Sequence, residues 1–190
     1  MRLYEIALTL VPGIGDAMGK KLVTICGSAE AVFTEKKQFL AKVPRVGQKV
    51  LEALSDKTIL ERAEKELAFV EKFRIRTLFF LDADYPFRLK NCIDGPVLLY
   101  YKGNADLNSS HMVGVVGTRK ATEYGRTVCT RIISELAPEK IVVVSGLAYG
   151  IDSCAHRSAL DNNLQTIGVL GHGLDRIRSE EHTSELQSQR

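Results

Sequence analysis

Between residues 112 and 177 the chain repeats one pattern: a short apolar run that ends at a glycine. The runs are Met112–Val116, Ile141–Val144 and Thr166–Leu170, and the glycines are Gly117, Gly146 and Gly171. Helical stretches, 122–136 and 151–160, follow the first two. Uninterrupted apolar runs of this length read as buried strands. Their alternation with helices predicts an α/β domain with a parallel, doubly wound sheet and right-handed crossovers. The three glycine turns then share the carboxyl edge of the sheet, where ligands of such folds bind.

Ser145-Gly146-Leu147-Ala148-Tyr149-Gly150-Ile151-Asp152 is the most informative of these turns. A strand, a glycine-bearing turn and a helix start aim backbone N–H groups at one point, which suits a phosphate. Plain strand–helix turns use glycine too, so the turn alone leaves a structural role open. Gly146 and Gly150 permit close backbone approach, and Ser145 offers a hydroxyl. Asp152 lies in the first helical turn, where a carboxylate is favourable. His156 follows four residues on, either as acid–base partner to Asp152 or as a hydrogen-bonded structural pair with it.

The first turn carries Gly117-Thr118-Arg119-Lys120. Arg119 presents a planar fork suited to phosphate, with Lys120 beside it as a point charge. Either Thr118 or Thr122 can cap the next helix. Basic residues at a helix start oppose its dipole, so an anionic ligand or Glu123 is expected to compensate. The third turn, Gly171-His172-Gly173-Leu174-Asp175, adds a flexible rim. No G-x-G-x-x-G follows any of the strands, so the dinucleotide fingerprint is absent.

Residues 1–75 read as an all-helical module. Gly27 ends one helix, Ser28 caps the next, and Asp56 caps the longest. Two interruptions look alike, Val11-Pro12-Gly13-Ile14-Gly15 and Val43-Pro44-Arg45-Val46-Gly47, each followed by basic residues (Lys20 and Lys21; Lys49). They resemble a tandem helix-hairpin-helix unit, in which backbone N–H groups approach a DNA phosphate without reading sequence. The first copy, with Gly13 and Gly15, keeps the motif; the second has Arg45 in place of glycine. Tight turns within a packing module are the alternative. Residues 76–110 form a bridge, with strands at 77–81 and 96–101 and a short helix at 87–92. Tyr100 and Tyr101 are candidates for base stacking, although strand alternation commits at least one to the core.

The 190 residues suffice for one full core and a small second domain, and the 45% hydrophobic content is that of a globular protein. No apolar run approaches the roughly 18 residues of a membrane helix, and residues 1–5 lack a signal-peptide layout. Cys26, Cys92, Cys129 and Cys154 are scattered without a C-x-x-C pair, as expected of free thiols in a reducing cytoplasm rather than a metal site. Residues 1–76 hold 14 Lys/Arg against 10 Asp/Glu, whereas 77–177 hold 10 of each. The small surplus favours an anionic partner weakly. Residues 178–188, RSEEHTSELQS, have no apolar periodicity and read as the translation of a sequencing adapter, with a natural disordered tail as the alternative. On that reading the natural protein continues past Ile177.

Taken together, Asp84-Tyr85-Pro86, Pro96-Val97-Leu98-Leu99-Tyr100, Val116-Gly117-Thr118-Arg119, Ser145–Asp152 with Ala155-His156, and Val169–Asp175 resemble the DprA/Smf family of DNA-processing proteins. The resemblance runs from the helical module through Ile177. It implies a Rossmann-like domain (76–177) behind a small helical module, and no catalytic residue, metal or cofactor. It further implies cytoplasmic binding of single-stranded DNA, protection of incoming DNA, loading of the recombinase RecA in natural transformation, and a homodimer in the full-length protein. Arg119 would hold the DNA backbone at the crevice. Gly117, Thr118, Lys120, Ser145, Gly146, Leu147, Ala148, Gly150, Asp152, His156 and Gly171 would line it, with Gly13, Gly15, Lys20, Gly47 and Lys49 as helix-hairpin-helix contacts. The family's further basic and aromatic DNA contacts, and much of the surface for dimerisation and RecA, fall after the third strand. The alternative is a Rossmann-like nucleotide phosphoribohydrolase of the lysine-decarboxylase-like type. The helical module and the lack of a Gly-Gly pair in the Ser145 turn argue against it.

Overall fold

The computed structural model describes residues 2–171, 173 and 174. The tail from Arg178, His172 and Asp175 lie outside the described residues. The chain divides after Gly103 into two compact units.

Among the described residues the first unit is built from six helices, a further one-turn helix and one antiparallel strand pair. The helices are α1 (Arg2–Leu10), α2 (Asp16–Cys26), α3 (Ala29–Thr34), α4 (Lys37–Leu40), α5 (Gln48–Ala53) and α6 (Lys57–Lys72). The strands are β1 (Arg76–Phe79) and β2 (Leu98–Tyr101), with the one-turn helix α7 (Phe87–Lys90) between them. Ile6, Leu8, Leu22 and Val32 are all but fully buried and form the centre of this unit. The expected caps are present. Gly27 ends α2 in the left-handed conformation, the Ser28 hydroxyl accepts from Ala31 N–H, and the Asp56 carboxylate accepts from Thr58 N–H.

Of the segment 76–110 expected as a bridge, residues 76–103 are fastened to the helices. Val97 N–H donates to the Asp16 carboxylate (2.8 Å) and Lys20 Nζ to the Cys92 carbonyl (2.9 Å). Arg2 joins Glu5 and Asp82 at 2.7 Å each, and Asp82 also accepts from Phe79 N–H. Tyr85 is fully buried and donates to the Pro96 carbonyl. Burial first, then the nearby Asp16 charge, pushes its phenol up to about 12. The Asp-Tyr-Pro and Pro-Val-Leu-Leu-Tyr segments are thus two halves of one structural latch.

The two Pro-containing turns are congruent. Ile14 N–H donates to Val11 O and Val46 N–H to Val43 O, each at 3.1 Å. Gly15 and Gly47 precede their helices with nearly identical dihedrals (φ −93°, ψ 177° and 174°). Gly13 has φ +86° and Arg45 φ +74°. Arg45 therefore occupies the left-handed conformation that its glycine counterpart adopts without strain.

The second unit holds β3 (Met112–Gly114), α8 (Glu123–Leu136), β4 (Val142–Gly146), α9 (Ile151–Asp161) and β5 (Thr166–Val169). Its three strands are parallel and lie in the order β3-β4-β5. Sequential order with right-handed crossovers puts both helices on one side of the sheet, and α8 indeed packs directly on α9. Among the described residues the sheet is therefore wound on one face, not two. Val143, Ala155, Ala159, Ile133 and Cys129 form the core between sheet and helices. An apolar groove of about 370 Å³ is lined by Val113–Val116 at β3 and by Val128 and Ile132 on α8.

Candidate functional site

Two glycine turns of the second unit meet at the carboxyl ends of β3 and β4. The meeting is between backbones. A Cβ at Gly150 would fall on the carbonyl oxygen of Thr118 and lie 2.6 Å from that of Arg119. Gly150 has φ +88°, and the next N–H, that of Ile151, donates to Thr118 O (3.2 Å). Behind this contact Ile151 presses on Gly117, where a Cβ would lie 2.6 Å from its side chain. The first residue of α9 is therefore clamped under the Gly117–Lys120 turn.

Thr118, Arg119 and Lys120 are exposed on the open side of that turn. The Thr118 hydroxyl does not cap α8; it accepts from Lys120 N–H (3.2 Å) and shapes the turn locally. Thr122 is the cap, accepting from Gly125 N–H (3.1 Å). Two exposed cationic side chains thus stand immediately before a helix N-terminus, next to a second helix N-terminus. Each of the two helix starts holds one carboxylate in its first turn, Glu123 in α8 and Asp152 in α9, and the exposed cations on the turn remain open to an anion.

Leu147 and Gly171 are exposed and Ala148 is half-buried, whereas several expected contacts lie behind the turn instead of on it. Ser145 is buried, and its hydroxyl donates to Val115 O (2.7 Å), tying β4 to the end of β3. His156 is only 4% exposed. Its Nε2 lies 2.8 Å from Gly146 O and its Nδ1 2.6 Å from the Thr166 hydroxyl. A carbonyl only accepts, so Nε2 carries a hydrogen, while the Thr166 hydroxyl beside Nδ1 also donates to the Val143 carbonyl (3.1 Å). Neither partner is Asp152, which removes the acid–base pairing of Asp152 with His156. The histidine is a brace holding the Gly146 turn against β5. Burial has the same consequence for Asp152. Its carboxylate lies against Gly146, and Oδ1 is buried without a hydrogen-bond partner at the positive start of α9.

In the first unit, Lys20 is occupied by the Cys92 carbonyl, and Asp16 places a carboxylate at the start of α2. The second hairpin carries no acid in the first turn of α5, and Arg45, Gly47 and Lys49 are all exposed. The turn with the poorer sequence match is the more electropositive one. Neither bridge tyrosine is an open stacking platform. Burial and then Glu66 raise the Tyr100 phenol well above its ordinary range, and half-buried Tyr101 lies under the Arg76 guanidinium (5.7 Å). Sequence reasoning missed Tyr124, 79% exposed in the first turn of α8, and Tyr149, 55% exposed in the second turn. Each is a polar-edged aromatic beside a glycine turn.

Parallel strands ending in clamped glycine turns, with arginine and lysine on the rim, define an α/β protein of Rossmann-like type. Comparison with known proteins specifies it further. The family model described as DNA recombination-mediator protein A matches residues 76–189, more than half of the chain and including most of the tail. The DNA processing protein DprA of Streptococcus pneumoniae is 48% identical over 95 residues, covering 50% of this chain and 33% of that protein. The protein Smf of Synechocystis is 35% identical over 182 residues, 92% of this chain and 45% of that protein. An X-ray structure of DprA from Streptococcus pneumoniae superposes with a TM-score of 0.66 at 28% identity, covering 99% of this chain and 64% of that one. The chain belongs to the DNA recombination-mediator protein A (DprA/Smf) family. It spans less than half the length of these curated relatives. Among the described residues no helix is long and apolar enough to cross a membrane.

Proposed function

We propose that the chain binds single-stranded DNA at the Gly117–Lys120 and Gly146–Gly150 rim, as the DNA-holding part of a recombination mediator. In the full-length protein this activity protects incoming DNA and loads RecA during natural transformation, with a homodimer as the working form. The observation that carries the reading is the pair of exposed cations, Arg119 and Lys120, on a turn whose backbone is clamped by Gly150. Backbone phosphates are the repeating anions of a single strand, and their neutralisation needs no base readout. Tyr124 and Tyr149 give the bases a place to stack on either turn. The second hairpin, with Arg45 and Lys49, adds a non-specific basic surface on the first unit.

The function is non-enzymatic. The buried, doubly bonded His156 is not available as an acid–base residue, which supports that reading. Fluorescence anisotropy with a labelled oligothymidylate tests the proposal. Affinity is expected to fall as salt rises, and Arg119→Ala to weaken it about tenfold or more while reducing the salt slope by about 0.7. Unchanged affinity removes Arg119 from the site. Release of free base from a nucleoside monophosphate would instead establish the hydrolase.

A further inference from the structure

Helices α8 and α9 run parallel and meet along a polar seam with constant spacing. Cys154 Sγ faces Arg126 O (3.7 Å), the Thr130 hydroxyl faces that of Ser158 (3.0 Å), and Asn162 Nδ2 donates to the Ser134 hydroxyl (3.2 Å). Small side chains at every step bring the two helices close. Cys154 also touches the Thr130 hydroxyl (3.6 Å) and packs against the cluster that contains Cys129. Cys154 thus sits over the Arg126–Thr130 turn of α8, and Cys129, three residues after Arg126 and next to Thr130, lies in that turn, in the cluster against which Cys154 packs. We propose that Cys129 and Cys154 are a paired thiol site that closes to a disulfide between α8 and α9 on meeting a low-molecular-weight disulfide.

The two cysteines differ in a way that orders the steps. Cys154 is half-buried and reachable, whereas Cys129 is buried. Burial, and then the Cys154 neighbour, pushes the Cys129 thiol up to about 11, so it is the slower nucleophile. The Cys154 thiolate attacks one sulfur of the small disulfide, forming a mixed disulfide and expelling one small thiolate. Cys129 then loses its proton to solvent and attacks the Cys154 sulfur, and the second small thiolate departs. Two protein thiols are oxidised and one small disulfide is reduced to two thiols. The bridge joins the first turns of α9 to α8 directly behind the clamped glycine turns. Cys92, which is exposed, and Cys26 have no such partner among the described cysteines and stop at the mixed disulfide.

The test is incubation of the full chain with glutathione disulfide, alkylation of remaining thiols, and peptide mapping without reduction. Trypsin places Cys129 in peptide 127–131 and Cys154 in peptide 141–157. The expected product joins these two, lighter by two hydrogens, with no glutathione on either. In Cys129→Ser, glutathione is expected to remain on Cys154. Recovery of alkylated Cys129 beside glutathionylated Cys154 in the unmutated chain would overturn the proposal. So would a Cys154 linked to Cys92 of another copy. The mapping of the unmutated chain decides the matter even if the serine variant does not fold.

Discussion

At the scale of single residues, the rim separates groups that meet solvent from groups that hold the rim in place. Arg119 and Lys120 are exposed; Ser145, Asp152 and His156 are buried immediately behind. The two sets predict opposite phenotypes. His156→Ala removes the ring that bonds both the Gly146 carbonyl and the Thr166 hydroxyl, although the hydroxyl keeps its bond to Val143 O, so it is expected to destabilise the second unit by about 1–3 kcal/mol. Urea denaturation monitored by circular dichroism measures this. Arg119→Ala removes no packing and is expected to leave the urea midpoint in place while weakening DNA binding. Ser145→Ala is intermediate, with a loss of about 1 kcal/mol for its bond to Val115 O. A His156→Ala protein as stable as the parent would show that the brace contributes nothing.

At the scale of elements, the paired hairpins and the paired glycine turns both depend on backbone conformation more than on side chains. Gly13 and Arg45 occupy equivalent left-handed positions. Arg45→Gly is expected to stabilise the first unit, by about 0.5–1 kcal/mol, because left-handed strain of about 1–2 kcal/mol is relieved against a smaller entropy cost. Gly13→Ala is expected to destabilise it by about 1–2 kcal/mol, since a Cβ there is strained and also lies 3.1 Å from Val50. Thermal melts of the two variants in opposite directions are the result sought; equal shifts would deny that the turns are equivalent. Gly150→Ala is expected to be the more damaging change, because its Cβ meets carbonyl oxygens that have nowhere to move.

At the scale of the whole molecule, the first unit carries an alkaline liability in two phenols. Tyr85 and Tyr100 of the first unit both have phenols raised by burial. A group whose folded pKa is raised contributes stability that is complete below its unfolded value and is lost as pH climbs through the folded one. The first unit is therefore expected to lose stability from about pH 10 upward, and Tyr85→Phe to blunt that loss while costing about 1 kcal/mol at neutral pH. Melting temperature measured between pH 8 and 11 checks both. Much of this architecture was legible in the sequence. The apolar runs marked β3 to β5, and Gly27, Ser28 and Asp56 marked helix ends, because those signals are local. Three features were not legible. His156 finds its partners on β4 and β5, Tyr85 finds Pro96 across the β1–β2 connection, and Arg45 takes a dihedral that its identity disfavours. Each is decided by tertiary neighbours that no window of residues contains. The single-sided winding followed from strand order, which alternation of strands and helices does not specify. The contact of Gly150 with the carbonyls of Thr118 and Arg119 has one more consequence. Because main chain touches main chain there, the height and spacing of the rim are independent of which side chains it displays. Arginine and lysine can be exchanged for other groups without moving the platform, so the choice of ligand and the architecture that presents it are separable by mutation.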